Sequence, residues 1–335
     1  MALSGGVDSA LAAALLSRDG WSVTGLHMLL CGDGEAEAAR SAAEHAGIPL
    51  EILDLRAEFR ELVQAPFAAA WGAGKTPNPC IACNRTVKFG LLQDRAAALG
   101  LETVATGHYA RTVVSGGRTL LLRGADGAKD QSYFLARTAP ERLARAVFPL
   151  GELTKDRVRA LAAELGLPAA SRKDSQDVCF LPGGDYAAWL EERGFCFTAG
   201  RFVTADGRDL GPHKGAERYT LGQRRGLGIA LGSRAYVTGR RGADLVVGPE
   251  EDLFGTRVRV TDLNYLASDP PKAPTKVFAR LRYRDPGAEC VLHPLSETEA
   301  LLEFCQPRRM SAPGQTAVCY DGDCVVCGGE IVGPF

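Results

Sequence analysis

The chain has 335 residues, 46 % of them hydrophobic and 24 % charged, with a net charge of −1. This is the balance of a globular protein with room for two or three domains, and it carries no global basic signature for nucleic acid. No apolar run is long enough to span a bilayer, and no basic-then-apolar leader opens the chain, so its ten cysteines read as reduced cytoplasmic thiols rather than a disulfide framework.

The elements alternate through the first half. A three-residue strand end leads through Ser-Gly-Gly-Val-Asp-Ser into an alanine- and leucine-rich helix over 8–18, stopped by Gly20. A parallel strand normally has about five residues, so this stub is expected to support its loop weakly. Strands follow at 23–30 and 50–55, with helices at 35–46 and 56–70. After a proline-rich cysteine loop come a helix over 85–99, a strand over 102–106 and a helix over 154–165 with Thr154 as N-cap. This order predicts an α/β domain with a doubly wound parallel sheet covered by helices on both faces.

From about Gly183 glycine and arginine rise, and a short alternating run appears at 233–238. Strands are expected at 257–261, 276–283, 289–293, 301–304 and 316–320, spaced as in a small β-barrel. The expected domains are 1–182, a small central domain over 183–249, and a C-terminal β-barrel over 250–335.

The opening loop is suited to phosphate. Small residues let backbone N–H groups approach an anion, the helix N-terminus adds partial positive charge, and Ser4 and Ser9 can donate. It lacks the lysine of the kinase and GTPase loop. Asp8 is a candidate for holding Mg²⁺ on the phosphates. The alternative is an ordinary glycine turn before a helix.

Cys80 and Cys83 lie in Thr-Pro-Asn-Pro-Cys-Ile-Ala-Cys-Asn. Such a pair fits a zinc half-site, a dithiol, two ligands of an iron–sulfur cluster, or a sulfur-handling nucleophile with a neighbour. Lys88 follows Cys83 by about a turn and can favour its thiolate, or it can be an ordinary solvated lysine. Basic residues gather at Lys214, Arg218, Arg224, Arg225, Arg234, Arg240 and Arg241, with Glu217 the only acid among them. Arg280, Arg282 and Arg284 form a second cluster, and Arg308 with Arg309 a third. Each can be a polyanion footprint or a solvated face.

Taken together, SGGVDS, TPNPCIACN, TGHYAR (106–111), KDQSYFL (129–135), SRKDSQDVCF (171–180), YTLGQRRGLG (219–228) and APGQ (312–315) closely resemble the bacterial tRNA-specific 2-thiouridylase family, of the PP-loop ATP pyrophosphatases. The resemblance runs in order from Ala2 to Gly329. It implies an enzyme that uses ATP with Mg²⁺ to adenylate the 2-oxygen of the wobble uridine of tRNA, then replaces it with sulfur. Cys83 is implied as nucleophile and Cys179 as the persulfide carrier. Ala2, Leu3, Ser4, Gly5, Gly6, Val7, Asp8, Ser9, Met28 and Gly107 are implied as ATP contacts. Asn78, Pro79 and Cys80 match the segment that approaches the base, and His108, Lys129, Asp130, Gln131, Arg282, Tyr283 and Gln315 match tRNA contacts. The implied partners are tRNA and a sulfur carrier, with no membrane.

The physical chemistry agrees. A carbonyl oxygen is a poor leaving group and AMP a good one, and cysteine is the side chain that can carry sulfur. His108 can be a general base, or it can orient a phosphate or ribose. Tyr283, with Arg282, suits stacking and backbone contact, or the barrel core.

The sequence departs from the family at Cys80, where many relatives carry Asp. If the chemistry runs by persulfide and disulfide alone, Cys83 and Cys179 suffice. If Cys80, Cys83 and Cys179 instead hold a 4Fe–4S cluster, one iron is left open for sulfide. Cys324 and Cys327 could complete a zinc site with Cys80 and Cys83, or be half-buried strand residues. Cys31, Cys196, Cys290, Cys305 and Cys319 are expected as small core residues. Two other functions stand beside this reading: a PP-loop amidoligase acting on a small molecule, which leaves the cysteines idle, and a non-catalytic metal- or RNA-binding protein.

Overall fold

In the computed structural model, residues 1–32, 36–170, 178–229 and 234–334 are described. Strands Gly25–Leu29 and Leu50–Asp54 pair in parallel, and Val104–Ala105 pairs in parallel with Ala146–Val147. The opening stub joins the two pairs. Ala2 bridges Leu26 in parallel, and its N–H donates to the Ala105 carbonyl at 2.8 Å. The short stub therefore lies in the middle of the sheet, hydrogen-bonded on both sides. The spatial order is 50–54, 25–29, 1–3, 104–105, 146–147. Chain direction reverses its march across the sheet beside the stub, the switch point where open α/β sheets bind ligands.

Helix Val7–Arg18 leaves this point and is buried along Ala10–Ala13, Leu15 and Leu16. It packs with Ala39, Ala42 and Ala43 of helix Ala36–Ala46 and with Val158 and Ala162 of helix Lys155–Glu164. Alanine at these contacts lets the helix axes approach closely. Thr154 caps the last of these helices, its hydroxyl accepting from the Arg157 N–H at 3.3 Å. The strand expected over 102–106 is only Val104–Ala105.

Strands Gly200–Val203, Asp209–His213, Tyr236–Arg241 and Asp244–Gly248 make a separate four-stranded sheet around Phe202, Val237, Leu245 and Val247. Beyond it, Phe254–Tyr265, Ala300–Arg309, Ala288–Pro294, Thr275–Arg280, Thr316–Asp321 and Cys324–Pro334 form a six-stranded barrel. It closes where the last strand pairs back onto the first, Thr261 opposite Glu330. Closure leaves the barrel no open edge of its own.

The expected strand over 276–283 ends at Arg280, and Tyr283 lies in the turn that follows. The turn forms because the Asp285 carboxylate accepts from the Leu281 N–H at 2.8 Å. A hairpin of the first domain, Ala110–Ser115 with Arg118–Arg123, adds to the barrel sheet through Leu122 opposite Cys324. Cys290 and Cys319 are buried as expected, but Cys31, Cys196 and Cys305 are exposed. Cys327 is buried in the barrel opposite Cys319, on the strand that begins at Cys324, and among the described residues no group of three or more Cys, His, Asp or Glu side chains is placed to hold a metal.

Candidate active site

The phosphate loop is organised by its two serines. The Ser9 hydroxyl donates to the Gly6 carbonyl at 3.0 Å and lies 3.1 Å from the Ser4 hydroxyl, while the Ser4 N–H donates to Ser9 Oγ at 3.2 Å. Gly5 takes a φ of +77°, and a β-carbon there would lie 2.5 Å from the Ala38 backbone. Both facts require glycine. Ser4 is exposed, as a donor for an incoming anion must be.

Gly107 closes the loop from the neighbouring strand end. A β-carbon on it would lie 3.0 Å from both the Asp8 carbonyl carbon and the Ser9 nitrogen. Asp8 is not a vacant ligand. Lys155 Nζ sits 2.8 Å from its Oδ1 and 2.9 Å from its Oδ2, and the Tyr109 hydroxyl donates to Oδ1 at 2.8 Å. Neither partner was singled out from the sequence. Only the "LTK" that starts a capped helix hinted that a lysine would be held near a helix N-terminus.

The cysteine helix starts with Asn78, whose Oδ1 accepts from the Cys80 N–H at 3.1 Å, and Pro79 fills the first helical position. Helix Pro79–Cys83 continues into a wider π-type segment over Asn84–Leu91, a geometry that concentrates at functional sites. Cys80 is exposed and Cys83 buried. Cys83 packs in one cluster with Met28 and with Phe180, the residue after Cys179. Burial pushes the Cys83 thiol up to about 11. The Lys88 ammonium opposes this, and Cys179 and Cys80 reinforce it. Cys80 has exposed surface, yet the protein packed around it still raises its thiol, again against Lys88 and with Cys179. The effect expected of Lys88 has the right sign and is outweighed by desolvation.

Burial, with the Lys88 ammonium as the smaller cause, holds His108 well below the usual histidine range, so the imidazole is neutral near pH 7. His108 Nδ1 lies 2.8 Å from Thr106 Oγ1, and its ring packs edge-on against Phe148. A neutral ring can take a proton and cannot serve as a phosphate cation.

The remaining expected contacts divide. Arg282 is exposed, and Tyr283 is half-buried with its ring 4.4 Å from that of Phe134. Lys129 is half-buried. Asp130 is only 3 % exposed, and its Oδ1 accepts from the Gly124 and Ser132 N–H groups. Its Oδ2 faces the barrel's Arg280 at 3.6 Å, so the carboxylate is used between its own loop and the barrel, with no face for a phosphate it would in any case repel. Gln131 Oε1 accepts from the Tyr109 N–H at 3.0 Å, so it holds the residue that touches Asp8. Gln315 reaches from the barrel and donates to the Thr76 carbonyl at 2.6 Å. The 171–177 part of the cysteine motif lies outside the described residues.

A phosphate-type loop at the switch point of a parallel sheet, with two β-domains behind it, defines a PP-loop protein of the HUP fold. Residues 1–183 match the family model described as tRNA methyl transferase HUP domain. Residues 192–247 match the tRNA methyl transferase PRC-barrel domain, and 256–331 the aminomethyltransferase beta-barrel domain. The chain is 44 % identical to the tRNA-specific 2-thiouridylase MnmA of Syntrophotalea carbinolica, covering 99 % of this chain and 97 % of that one. It is 43 % identical to the protein of the same name from Chlorobium luteolum, covering 99 % and 95 %. The chain belongs to the tRNA-specific 2-thiouridylase family. No helix among the described residues is long and apolar enough to cross a membrane.

Proposed function

We propose that the chain thiolates the 2-position of the wobble uridine of tRNA, consuming ATP and releasing AMP and pyrophosphate in the cytoplasm. The observation that supports this is spatial. The His108 ring lies 6.0 Å from that of Phe89, in the segment that continues the cysteine helix, and His108 follows the glycine packed on the phosphate loop. Adenylation and sulfur transfer thus have adjacent seats.

In this reading Ala2 to Ser9, Met28 and Gly107 seat the ATP, and Asn78 to Cys80 receive the flipped uridine. The uridine 2-oxygen attacks the α-phosphorus, and pyrophosphate leaves with the electron pair of the broken P–O bond. The N3 proton passes to water. A persulfide on Cys179, supplied by a sulfur carrier, attacks C2 through its terminal sulfur, and AMP leaves. Cys83 then attacks the Cys179 sulfur. The S–S bond to the base breaks, 2-thiouridine is released, and a Cys83–Cys179 disulfide remains for a thiol donor to reduce. The half-buried Tyr283 and the exposed Arg282 face the tRNA, and Gln315 and Gln131 act by holding the site. The working domain limits are 1–182, 183–249 and 250–335.

Three thiols are the right donors for a 4Fe–4S cluster, but among the described residues no three Cys, His, Asp or Glu side chains converge as a metal cage. No step above runs through one. The small-molecule amidoligase reading would leave both the cysteine pair and the exposed arginines without a task.

Two measurements test the proposal. Pyrophosphate release from ATP should require uridine-34 tRNA, and nucleosides from a deletion strain should lack 2-thiouridine by mass spectrometry. Release that ignores tRNA, with thiouridine intact in the deletion strain, refutes it. Iron and acid-labile sulfide in anaerobically purified protein, wild-type and Cys80→Ser, test the sulfur route: stoichiometric iron lost with Cys80 replaces the persulfide steps by a cluster.

A further inference from the structure

The phosphate loop has no lysine of its own, yet a buried ammonium is delivered to it from 147 residues away. The Lys155 side chain is 8 % exposed and forms an ion pair with Asp8, whose side chain is 33 % exposed. Asp8 stands on the second residue of helix Val7–Arg18, at the mouth of the loop. Lys155 is itself anchored. Its N–H donates to Asp126 Oδ2 at 2.9 Å, and its helix is capped by Thr154. Its ammonium lies 5.8 Å from the Tyr109 ring centroid, within cation–π range. A rigid base of this kind fixes where the ammonium can reach.

Burying a lysine costs free energy unless the charge is paired. Asp8 meets that need at rest. A pairing purpose alone does not explain the placement, because Asp8 is a third exposed and already takes a Tyr109 hydrogen bond, so water and Tyr109 could serve it. A triphosphate calls for a cation, and the Lys155 ammonium is the charge that the structure brings to this loop. The serines and loop amides supply only neutral donors, His108 is neutral, and Lys88 is on the thiol side.

We infer that Lys155 is the phosphate-binding cation of this loop, its ammonium passing from Asp8 to the β- and γ-phosphate oxygens of ATP and stabilising pyrophosphate as it departs. The inference rests on the adenylation reading above. In the step it serves, the uridine 2-oxygen forms the bond to the α-phosphorus. The bond from the α-phosphorus to the β-bridging oxygen breaks, and the ammonium sits against the charge that grows there, where a preorganised donor lowers the barrier most. The Asp8 carboxylate it leaves is then free for the Mg²⁺ that accompanies ATP.

The test is binding of pyrophosphate and of Mg·ATP to the full-length protein by calorimetry, without tRNA, alongside tRNA-dependent pyrophosphate release. Lys155→Met should weaken pyrophosphate binding by about ten- to hundredfold, the loss expected for a charged hydrogen bond. Lys155→Arg should recover most of it. Asp8→Asn removes the resting partner, so it separates the roles. In that background Lys155→Met should still cost about tenfold in pyrophosphate affinity. If Asp8→Asn erases the effect of Lys155→Met, or if Lys155→Met binds pyrophosphate as tightly as wild type, Lys155 only neutralises Asp8 and the inference falls. A wild-type protein that binds neither ligand overturns the adenylation reading as well, whereas normal wild-type binding with an unaffected variant overturns this inference alone.

Discussion

The hydroxyls of Thr76 and Thr220 hydrogen-bond to each other across the junction of the first and central domains. The barrel meets them at the same residue: the Thr76 N–H donates to the Pro313 carbonyl at 2.7 Å and its carbonyl accepts from Gln315. Gly314, at φ +87°, makes room, since a β-carbon there would lie 2.8 Å from Lys75 Cβ. On the central side Arg309 of the barrel donates to the Gly222 carbonyl at 2.9 Å. All three parts of the chain therefore grip one residue, four positions before Cys80.

This grip predicts a defect in chemistry rather than in tRNA capture. Thr220→Val and Gln315→Ala each remove about one hydrogen bond, worth on the order of 1 kcal/mol. Single-turnover thiolation should slow by about fivefold or more while tRNA affinity stays within about twofold, because neither side chain has to touch tRNA for the loop to be held. Filter binding and quenched-flow thiolation measure the two. Equal losses in both would make the residues direct tRNA contacts.

Gly107 predicts a steric defect on the phosphate side. Gly107→Ala places a methyl 3.0 to 3.1 Å from three atoms of Asp8 and Ser9. Two are backbone atoms at a helix start and yield little, so overpacking should cost about 1–3 kcal/mol. ATP affinity should fall about tenfold or more as the loop is pushed from its strand-end seat. Thermal unfolding and ATP calorimetry report on each effect, and unchanged ATP binding would remove Gly107 from the site.

The resting thiols predict a pH profile. The thiolate is the nucleophile, and Cys83 is held up to about 11 by burial. Alkylation of Cys83 by iodoacetamide should therefore be slow at pH 7 and climb about tenfold per pH unit towards that value. The sign for stability follows. A folded-state value above the ordinary thiol's stabilises the fold fully below about pH 9, and that contribution is lost as the pH rises to about 11. If tRNA activates the site, adding it should move the alkylation profile to lower pH. A Cys83 that reacts at pH 7 as fast as a free thiol would contradict the buried resting state.

Much of this was legible in the chain. The helix expected over 8–18 is Val7–Arg18, and the strand expected over 50–55 is Leu50–Asp54, because alanine-rich periodicity and alternation are local signals. The barrel's last strand, Cys324–Pro334, was legible only as one of two options for Cys324 and Cys327. Gly328 and Gly329 weaken its β signal, yet both are needed there, since β-carbons would lie 2.7 Å from Ala136 and 2.6 Å from Val260. Pairing with strands on both sides supplies what local propensity lacks. Lys155 was illegible for a similar reason, as its partner is fixed by the sheet rather than by spacing. The cysteine motif named its residues but not their state, because burial of Cys83 depends on Phe180 and Met28.

The arginine clusters, alike in sequence, separate by what they touch, and this gives the last prediction. Arg308 pairs with Asp285, their side chains 14 % and 6 % exposed. Arg309 pairs with Glu250 at 2.7 Å, and Arg280 lies 3.6 Å from Asp130. Their charges are used in holding the barrel and its neighbours together. Arg224 and Arg225 are exposed beside the Thr220 junction, and Arg282 and Arg284 are exposed in the Tyr283 turn. Only side chains with solvent-facing charge can release counterions from a phosphate backbone. Replacing Arg224 and Arg225 together by Ala should lower the slope of log affinity against log salt by about two units, roughly one for each phosphate left unneutralised, with little change in melting temperature. Arg308→Ala should do the reverse. It strands the buried Asp285 carboxylate, costs on the order of 3 kcal/mol of stability, and leaves the salt slope where it was. Titrations of tRNA binding from low to high salt, with thermal melts of the same preparations, compare the two variants. A slope that falls for Arg308→Ala and holds for the Arg224/Arg225 variant would place the tRNA on the other face of the barrel.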